Sequence, residues 1–185
     1  ISSRSRVLAA SVLRVRCVFM WIMLFNCFTS SWCQLTAISA GGTHSCAVFE
    51  NGTLECWGDN GRGQLGQRYT STTEKSRMSV TLTEEGSWED VMCGPSFTCA
   101  IFKNTDSGLR QVFCWGANTY GQLGIGDNND RSAATLVEIE GLEYNAKFLT
   151  VGEQQACAVI DNENNGADGD LLVCWGRNNG GQLGV

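Results

Sequence analysis

The sequence predicts an all-β protein built from three repeated modules, and two observations support that prediction. The first is a pair of motifs that recur at a nearly constant interval: Cys-Trp-Gly from Cys56, Cys114 and Cys174, and Gly-Gln-Leu-Gly from Gly63, Gly121 and Gly181. The second is a composition with 22 Gly, one Pro and 43% apolar residues, which is typical of an ordered, turn-rich chain. A regular recurrence of this kind indicates stacked modules that bury their apolar faces against one another.

The segment 1–33 has the order of a secretory signal peptide. Four arginines and no acid come first, followed by the apolar run 17–28 and the small, polar stretch 29–33. The apolar run is short of the roughly 20 residues that a membrane-spanning helix needs. We therefore predict a signal peptide over residues 1–33, no transmembrane span, and an extracellular or secreted protein. A buried strand or an untranslated region read in frame is the alternative.

The charge of the remaining chain argues against a nucleic-acid partner. The whole sequence carries −6, and removing the four arginines of segment 1–33 leaves nine basic against 19 acidic residues, a formal charge of −10. A surface of that sign repels phosphate backbones. The expected partner is a protein.

Cysteine usage favours disulfides. His44 is the only histidine and no two cysteines have the Cys-x-x-Cys spacing of a zinc site, so no metal ligands are assigned. Six of the ten cysteines occupy repeated positions that pair as follows: Cys46 with Cys56, Cys99 with Cys114, and Cys157 with Cys174. Paired cysteines persist in oxidising compartments, and six reduced thiols in a cytosolic protein are the alternative. Cys93 is left without a visible partner unless Cys33 stays in the mature chain or a part of the protein outside this sequence supplies one.

The first pair can be placed from the geometry of a hairpin. A three-residue loop, 50–52, with Gly52 at the left-handed position, makes Phe49 face Thr53 and Cys46 face Cys56. Directly opposed residues on antiparallel strands bring their Cβ atoms to about 4.5–5.5 Å, which is close to the separation that a disulfide prefers.

Alternating apolar and polar residues predict three short strands in each repeat. The first strands are 36–40, 88–92 and 146–151; a Gly, a Cys-Ala strand, a turn and a Cys-Trp-Gly strand follow each time. A Gly-rich link with a leucine plug at 65, 123 or 183 ends the unit. The approximate repeats are 36–87, 88–145 and 146–185, the last incomplete, and we interpret the chain as a fragment.

These residues resemble the repeat of the regulator of chromosome condensation (RCC1) family. The second copy is the fullest match, with Trp88-x-x-Val-x-x-Gly94, Cys99-Ala-Ile and the run from Cys114 to Asp127. The resemblance covers about residues 36–185. It implies a β-propeller, usually of seven blades with four strands each, of which this chain would supply about three.

The resemblance also implies a set of roles. The founding member exchanges guanine nucleotide on a nuclear GTPase and docks on chromatin, and similar repeats occur in secreted bacterial inhibitors and in ectodomains of plant receptor kinases. The family's usual histidine is present at His44, but Phe97 and Gln155 occupy the corresponding places. The usual proline after the acidic turn is also missing. An acidic, cysteine-paired chain with a signal sequence favours the extracellular roles.

No catalytic constellation is predicted, and neither is a cofactor. The segment Gly61-Arg-Gly63-Gln-Leu-Gly66 matches the dinucleotide fingerprint in its letters, but no helix pattern follows it. The tryptophans at 57, 115 and 175 each follow a cysteine, which indicates repeated packing in the blades rather than a sugar site.

Two surface sites complete the prediction. Asn51-Gly-Thr53 is a glycosylation sequon on a hairpin turn. The loop 161–170 is a weak calcium candidate with Leu172 in place of a closing Glu; its oxygen ligands would be Asp161, Glu163, Asn165 and Asp168.

The predicted function is therefore a non-enzymatic propeller scaffold for protein–protein interaction, secreted or in a receptor ectodomain. One alternative is a guanine-nucleotide exchange factor or ubiquitin-ligase-associated propeller acting on a small GTPase. The other is a calcium- or glycan-binding module.

Overall fold

The computed structural model describes residues 34–72, 76–139, 144–161 and 169–185; the predicted signal peptide lies outside them. The strands belong to one compact unit, Leu35–Val185. In chain order they are β1 Leu35–Ala40, β2 His44–Phe49, β3 Leu54–Gly58, β4 Met78–Val80, β5 Gly86–Cys93, β6 Phe97–Asn104, β7 Arg110–Gly116, β8 Arg131–Leu136, β9 Asn145–Val151, β10 Gln155–Asp161 and β11 Asp170–Gly176.

The strands form three antiparallel sheets in which neighbours in sequence are neighbours in space. Their orders are β1-β2-β3-β4, β5-β6-β7-β8 and β9-β10-β11, and these sheets are called blade 1, blade 2 and blade 3 below. Consecutive antiparallel meanders of this kind are the blades of a β-propeller. The chain is thus an all-β, propeller-type protein, as its repeats predict.

The fourth strands were not visible in the alternation of residues. β4 is only three residues long, and β8 pairs with β7 through an irregular register between Cys114 and Gly116. A strand this short carries too few residues to show a period of two. β4 lies at the edge of blade 1, where it pairs with the backbone groups on the free side of β3.

The first hairpin has the register that the loop arithmetic predicts. Cys46 faces Cys56 and Val48 faces Leu54, while the Phe49 N–H donates to the Thr53 carbonyl at 2.9 Å. Gly52 has φ +77°, a conformation that glycine adopts without a steric penalty. The turn residue therefore sets the pairing of the whole hairpin.

The apolar core lies between the blades. One cluster joins blade 1 to blade 2, and in it Trp88 packs edge-on against Phe102, Phe113 and Trp115 with ring centroids 5.0–5.9 Å apart. A second cluster joins blade 2 to blade 3 and contains Ile101, Leu123 and Ile160, each 0% exposed. Each blade thus buries the apolar face of its neighbour, which is how repeat proteins gain stability.

Within the described ranges, no helix has the length and apolar character that crossing a bilayer requires.

Candidate functional site

The structure joins the three predicted cysteine pairs as cross-strand disulfides. Their Cα atoms are 4.1, 4.1 and 4.0 Å apart in the following pairs: Cys46–Cys56, Cys99–Cys114 and Cys157–Cys174. The first two pairs are 0% exposed and sit in the clusters between blades. They brace the sheets and offer no surface to a partner.

Each Gly-rich link is closed by an asparagine that sequence analysis did not single out. In blade 1 the Asn60 Oδ1 accepts from the Leu65 N–H at 3.0 Å, and its Nδ2 donates to the Tyr69 carbonyl at 2.9 Å. Asn118 and Asn178 make the matching bonds in the other two links. The sequence contains the pattern that identifies this residue, because an asparagine lies four residues after the second cysteine of each pair.

The repeated glutamine accepts hydrogen bonds in the same link through both its side chain and its backbone carbonyl. Its side chain accepts a link N–H, as Gln64 Oε1 does from Arg62 at 2.8 Å. Its backbone carbonyl accepts the indole N–H of the next blade: Gln64 from Trp115 and Gln122 from Trp175, both at 2.9 Å. Trp115 and Trp175 are therefore packing residues with one polar contact each, as a buried indole requires.

Since the repeated link residues are engaged within the fold, the variable ones are left to face solvent. Arg62, Thr119 and Tyr120 are exposed and lie beside a cavity of about 180 Å³. Glu153 and Gln154 of blade 3 also line it. We call the surface formed by these five residues the link face.

Two arginines hold the link face in shape. The Arg62 guanidinium pairs with Asp130 at 2.6 Å and donates to Thr119 Oγ1 at 3.1 Å. Arg177 donates to Gln154 Oε1 at 2.7 Å and lies over the Tyr120 ring, 5.1 Å from its centroid. The surface therefore presents a positioned aromatic ring and mixed charge.

The size of this cavity suits a side chain of a docking protein. Small-molecule sites usually measure about 300–1,000 Å³, well above the 180 Å³ found here. Tyrosine and arginine, which flank the cavity, are enriched among the residues that dominate protein–protein binding energy.

His44 lies inside the protein, where it cannot serve a substrate in solvent. It is 3% exposed, and burial lowers its pKa to about 4, with the attraction of Asp59 opposing part of that shift. Its Nε2 lies 2.7 Å from Thr98 Oγ1. The imidazole is neutral and forms part of the contact between blades 1 and 2.

The predicted glycosylation residue is accessible. Asn51 is exposed at the tip of the first hairpin, and its Oδ1 accepts from the Thr53 N–H at 3.1 Å and from Thr53 Oγ1 at 2.7 Å. Both residues of the sequon that bear functional groups thus stand together on the surface.

Most of the calcium candidate falls in residues that the structure does not describe. Glu163, Asn165 and Asp168 lie there. Asp161 is described, and Lys147 Nζ lies 3.2 Å from its carboxylate and 2.7 Å from that of Asp170. A lysine already compensates the charge of the one described ligand.

Comparison with known proteins agrees with this architecture. The sequence model of the regulator of chromosome condensation (RCC1) repeat matches residues 51–101 and 111–151, and a second model of that repeat matches residues 35–64. The chain is 32% identical over 150 residues to the X-linked retinitis pigmentosa GTPase regulator of Canis lupus familiaris. It is 29% identical over 148 residues to the human E3 ubiquitin-protein ligase HERC2.

The matched region is a small part of those relatives. The alignments cover 81% and 80% of this chain but 14% and 3% of the two proteins. Among solved structures, Prp20p of Saccharomyces cerevisiae, described with its binding to Gsp1p and histones, matches with a TM-score of 0.61. That match covers 80% of this chain and 33% of Prp20p at 21% identity, which shows a shared fold alone.

Proposed function

Because this chain belongs to the RCC1 repeat family, we propose that it is a protein-binding propeller segment that works outside the cell, either secreted or in a receptor ectodomain. Its partner docks on the link face. Family relatives act through other proteins, as the names GTPase regulator and ubiquitin-protein ligase indicate.

The proposed docking surface rests on one observation, the defined position of an exposed aromatic side chain. Tyr120 is 42% exposed, yet the Arg177 guanidinium stacked on its ring and the cavity beside it place it in a defined position. A side chain held in place before binding loses less entropy on association. The link face is therefore held in a defined geometry before binding, while the repeated asparagine and glutamine side chains stabilise the link.

The extracellular location rests on three features of the chain. Three cysteine pairs are joined across strands, the exposed Asn51 carries a sequon, and segment 1–33 has the composition of a signal peptide. Disulfides persist where glutathione and thioredoxin do not reduce them.

A regulator of a small GTPase inside the cell is the second candidate. The GTPase-regulator relative, at 32% identity, favours it. In that case the six paired cysteines would be reduced in the cell and residues 1–33 would not direct export.

Location is tested by expressing the chain with residues 1–33 in cells that secrete proteins. We expect disulfide-bonded protein in the medium, with a glycan that an amidase removes and that Asn51→Gln abolishes. Retention in the cytosol with free thiols and no glycan would overturn the extracellular role and leave the intracellular candidate.

The docking surface is tested by placing a photo-crosslinking amino acid at residue 120 and, as a control, at residue 69. Tyr69 is a matched control because it is also 42% exposed and does not line the cavity. We expect a specific protein adduct from position 120. With the captured protein purified, Tyr120→Ala should weaken binding about 30-fold, while Tyr69→Ala should leave it unchanged. Equal effects at both positions would refute the link face.

A further inference from the structure

A third thiol and the only histidine lie beside the disulfide of blade 1. A ring nitrogen of His44 and the sulfurs of Cys46 and Cys93 all lie within 4.8 Å of one another. Cys93 is a free thiol on β5 of blade 2, and it packs against the cluster that contains Cys56. Three potential zinc ligands from two blades thus meet in one place, and Cys56, which is bonded to Cys46, is the candidate for a fourth.

The hydrogen bonds around His44 engage only one of its two ring nitrogens. Thr98 Oγ1 lies 2.9 Å from the Gln64 carbonyl, to which it donates, and 2.7 Å from His44 Nε2; in the tautomer in which Nε2 carries the ring hydrogen, both contacts are hydrogen bonds. In that tautomer Nδ1 carries the free lone pair. Nδ1 is buried and has no hydrogen-bond partner among the described residues. Buried polar atoms in native proteins rarely lack a partner.

Such an arrangement is also the one that a zinc-binding histidine uses. A histidine ligand ordinarily donates its other ring N–H to a protein oxygen, which fixes the orientation of the ring. Thr98 provides that oxygen here. Three cysteines and one histidine form one of the common structural zinc sites.

The rest of the chain provides an internal comparison. Between blades 2 and 3 the disulfide Cys99–Cys114 is flanked by Phe97 in place of the histidine and Val151 in place of the third cysteine. That equivalent position is apolar and offers two sulfurs only. The donor set beside Cys46 is therefore not a general consequence of the repeat.

We propose that the reduced chain binds one zinc ion between blades 1 and 2 through His44, Cys46, Cys56 and Cys93. A dithiol reductant first supplies two electrons and two protons to the Cys46–Cys56 bond and is itself oxidised to a disulfide. The three thiols then release three protons as their sulfurs bind Zn²⁺, and the neutral imidazole supplies the fourth ligand. The disulfide and the zinc site are alternative states of the same residues. This inference does not depend on the extracellular role, since every chain is reduced when it is synthesised.

The movement required of His44, Cys46 and Cys93 is small. Tetrahedral zinc with bonds of about 2.3 Å to sulfur and 2.0–2.1 Å to nitrogen places its ligand atoms about 3.5–3.8 Å apart. The three atoms of the cluster are at most 4.8 Å apart, so they approach by about an ångström. Cys46 and Cys56 sulfurs separate once the bond between them is reduced.

Cobalt(II) is the probe, because its thiolate charge-transfer and visible bands report tetrahedral sulfur ligation. The full chain is reduced with a phosphine, which adds no competing thiol, and is titrated with Co²⁺ and then Zn²⁺. We expect one bound cobalt in the reduced chain, none in the oxidised chain, and displacement by zinc. Zinc should also protect Cys93 from alkylation, as measured by mass spectrometry.

Variants taken from the chain's own repeats provide the controls. Cys93→Val and His44→Gln introduce the residues that blade 3 carries as Val151 and Gln155, and each should weaken cobalt binding at least tenfold. Cys114→Ser breaks the equivalent pair of blade 2 and should change nothing.

Three results of the cobalt titrations would overturn the proposal. They are a reduced chain without cobalt bands, bands that survive both Cys93→Val and His44→Gln, and bands that Cys114→Ser removes. If reduction abolishes the β-sheet circular dichroism and metal does not restore it, the proposal also fails.

Discussion

Glycine at the end of each link tests whether contacts between blades stabilise this protein. Gly124 has φ +67°, and a Cβ built there would lie 2.8 Å from Cδ1 and from Nε1 of Trp175 in the next blade. Gly184 occupies the same place in the third link with φ +79°, and nothing lies within 4 Å of its Cβ position. Gly124→Ala and Gly184→Ala therefore share the backbone strain and differ in the contact.

The magnitudes follow from that difference. A left-handed conformation costs an L-residue about 1–2 kcal/mol, and this applies to both variants. Forcing a methyl group into a packed site adds about 1–3 kcal/mol, and this applies to Gly124→Ala alone. Moving the indole also weakens its 2.9 Å bond to the Gln122 carbonyl. We expect losses in the free energy of unfolding of about 1–2 kcal/mol for Gly184→Ala and about 2–5 kcal/mol for Gly124→Ala.

Urea unfolding of the oxidised chain, followed by tryptophan fluorescence and far-ultraviolet circular dichroism, measures both values. The two probes should agree and the m-values should match the unchanged chain, so that midpoints report stability. If the two variants lose the same stability within about 0.5 kcal/mol, backbone strain is the whole effect and the contact between blades contributes nothing. A larger loss for Gly184→Ala would refute the reasoning outright.

Two further changes test buried polar contacts and covalent bracing. Tyr144→Phe removes a hydroxyl that accepts from the Val112 N–H at 3.2 Å and donates to the Val137 carbonyl at 2.8 Å. Urea unfolding should show that the free energy of unfolding falls by about 2–4 kcal/mol. A fall of less than about 0.5 kcal/mol would mean that water replaces both hydrogen bonds. Replacing Cys99 and Cys114 together by alanine opens a 15-residue loop and should lower the free energy of unfolding by about 3 kcal/mol. A thermal unfolding midpoint unchanged from that of the oxidised parent would contradict this expectation.

Much of each blade follows from residues that are near one another in sequence. The hairpin loop with Gly52 determines that Cys46 faces Cys56 ten residues later, and the alternation of residues locates the first three strands of each repeat. These contacts close short loops, so turn chemistry and the two-residue period are enough to predict them.

The repeated side chains were visible in the sequence, but their roles were not. The spacing of Asn60 from Cys56 is constant in all three repeats, yet only the folded link shows that its amide bonds the Leu65 N–H and the Tyr69 carbonyl. Spacing identifies which residues recur. It does not say which backbone groups they satisfy.

By itself, then, the sequence determined an all-β repeat protein of the RCC1 family, its hairpin pairing and its cysteine pairs. Only the tertiary structure showed the link face and the meeting of His44 with Cys93, which belong to different repeats of the chain. The physical reason is distance along the chain. Contacts within a blade depend on local turns, whereas contacts between blades depend on how whole sheets stack; the repeat indicates that the sheets stack but not which side chains meet between them.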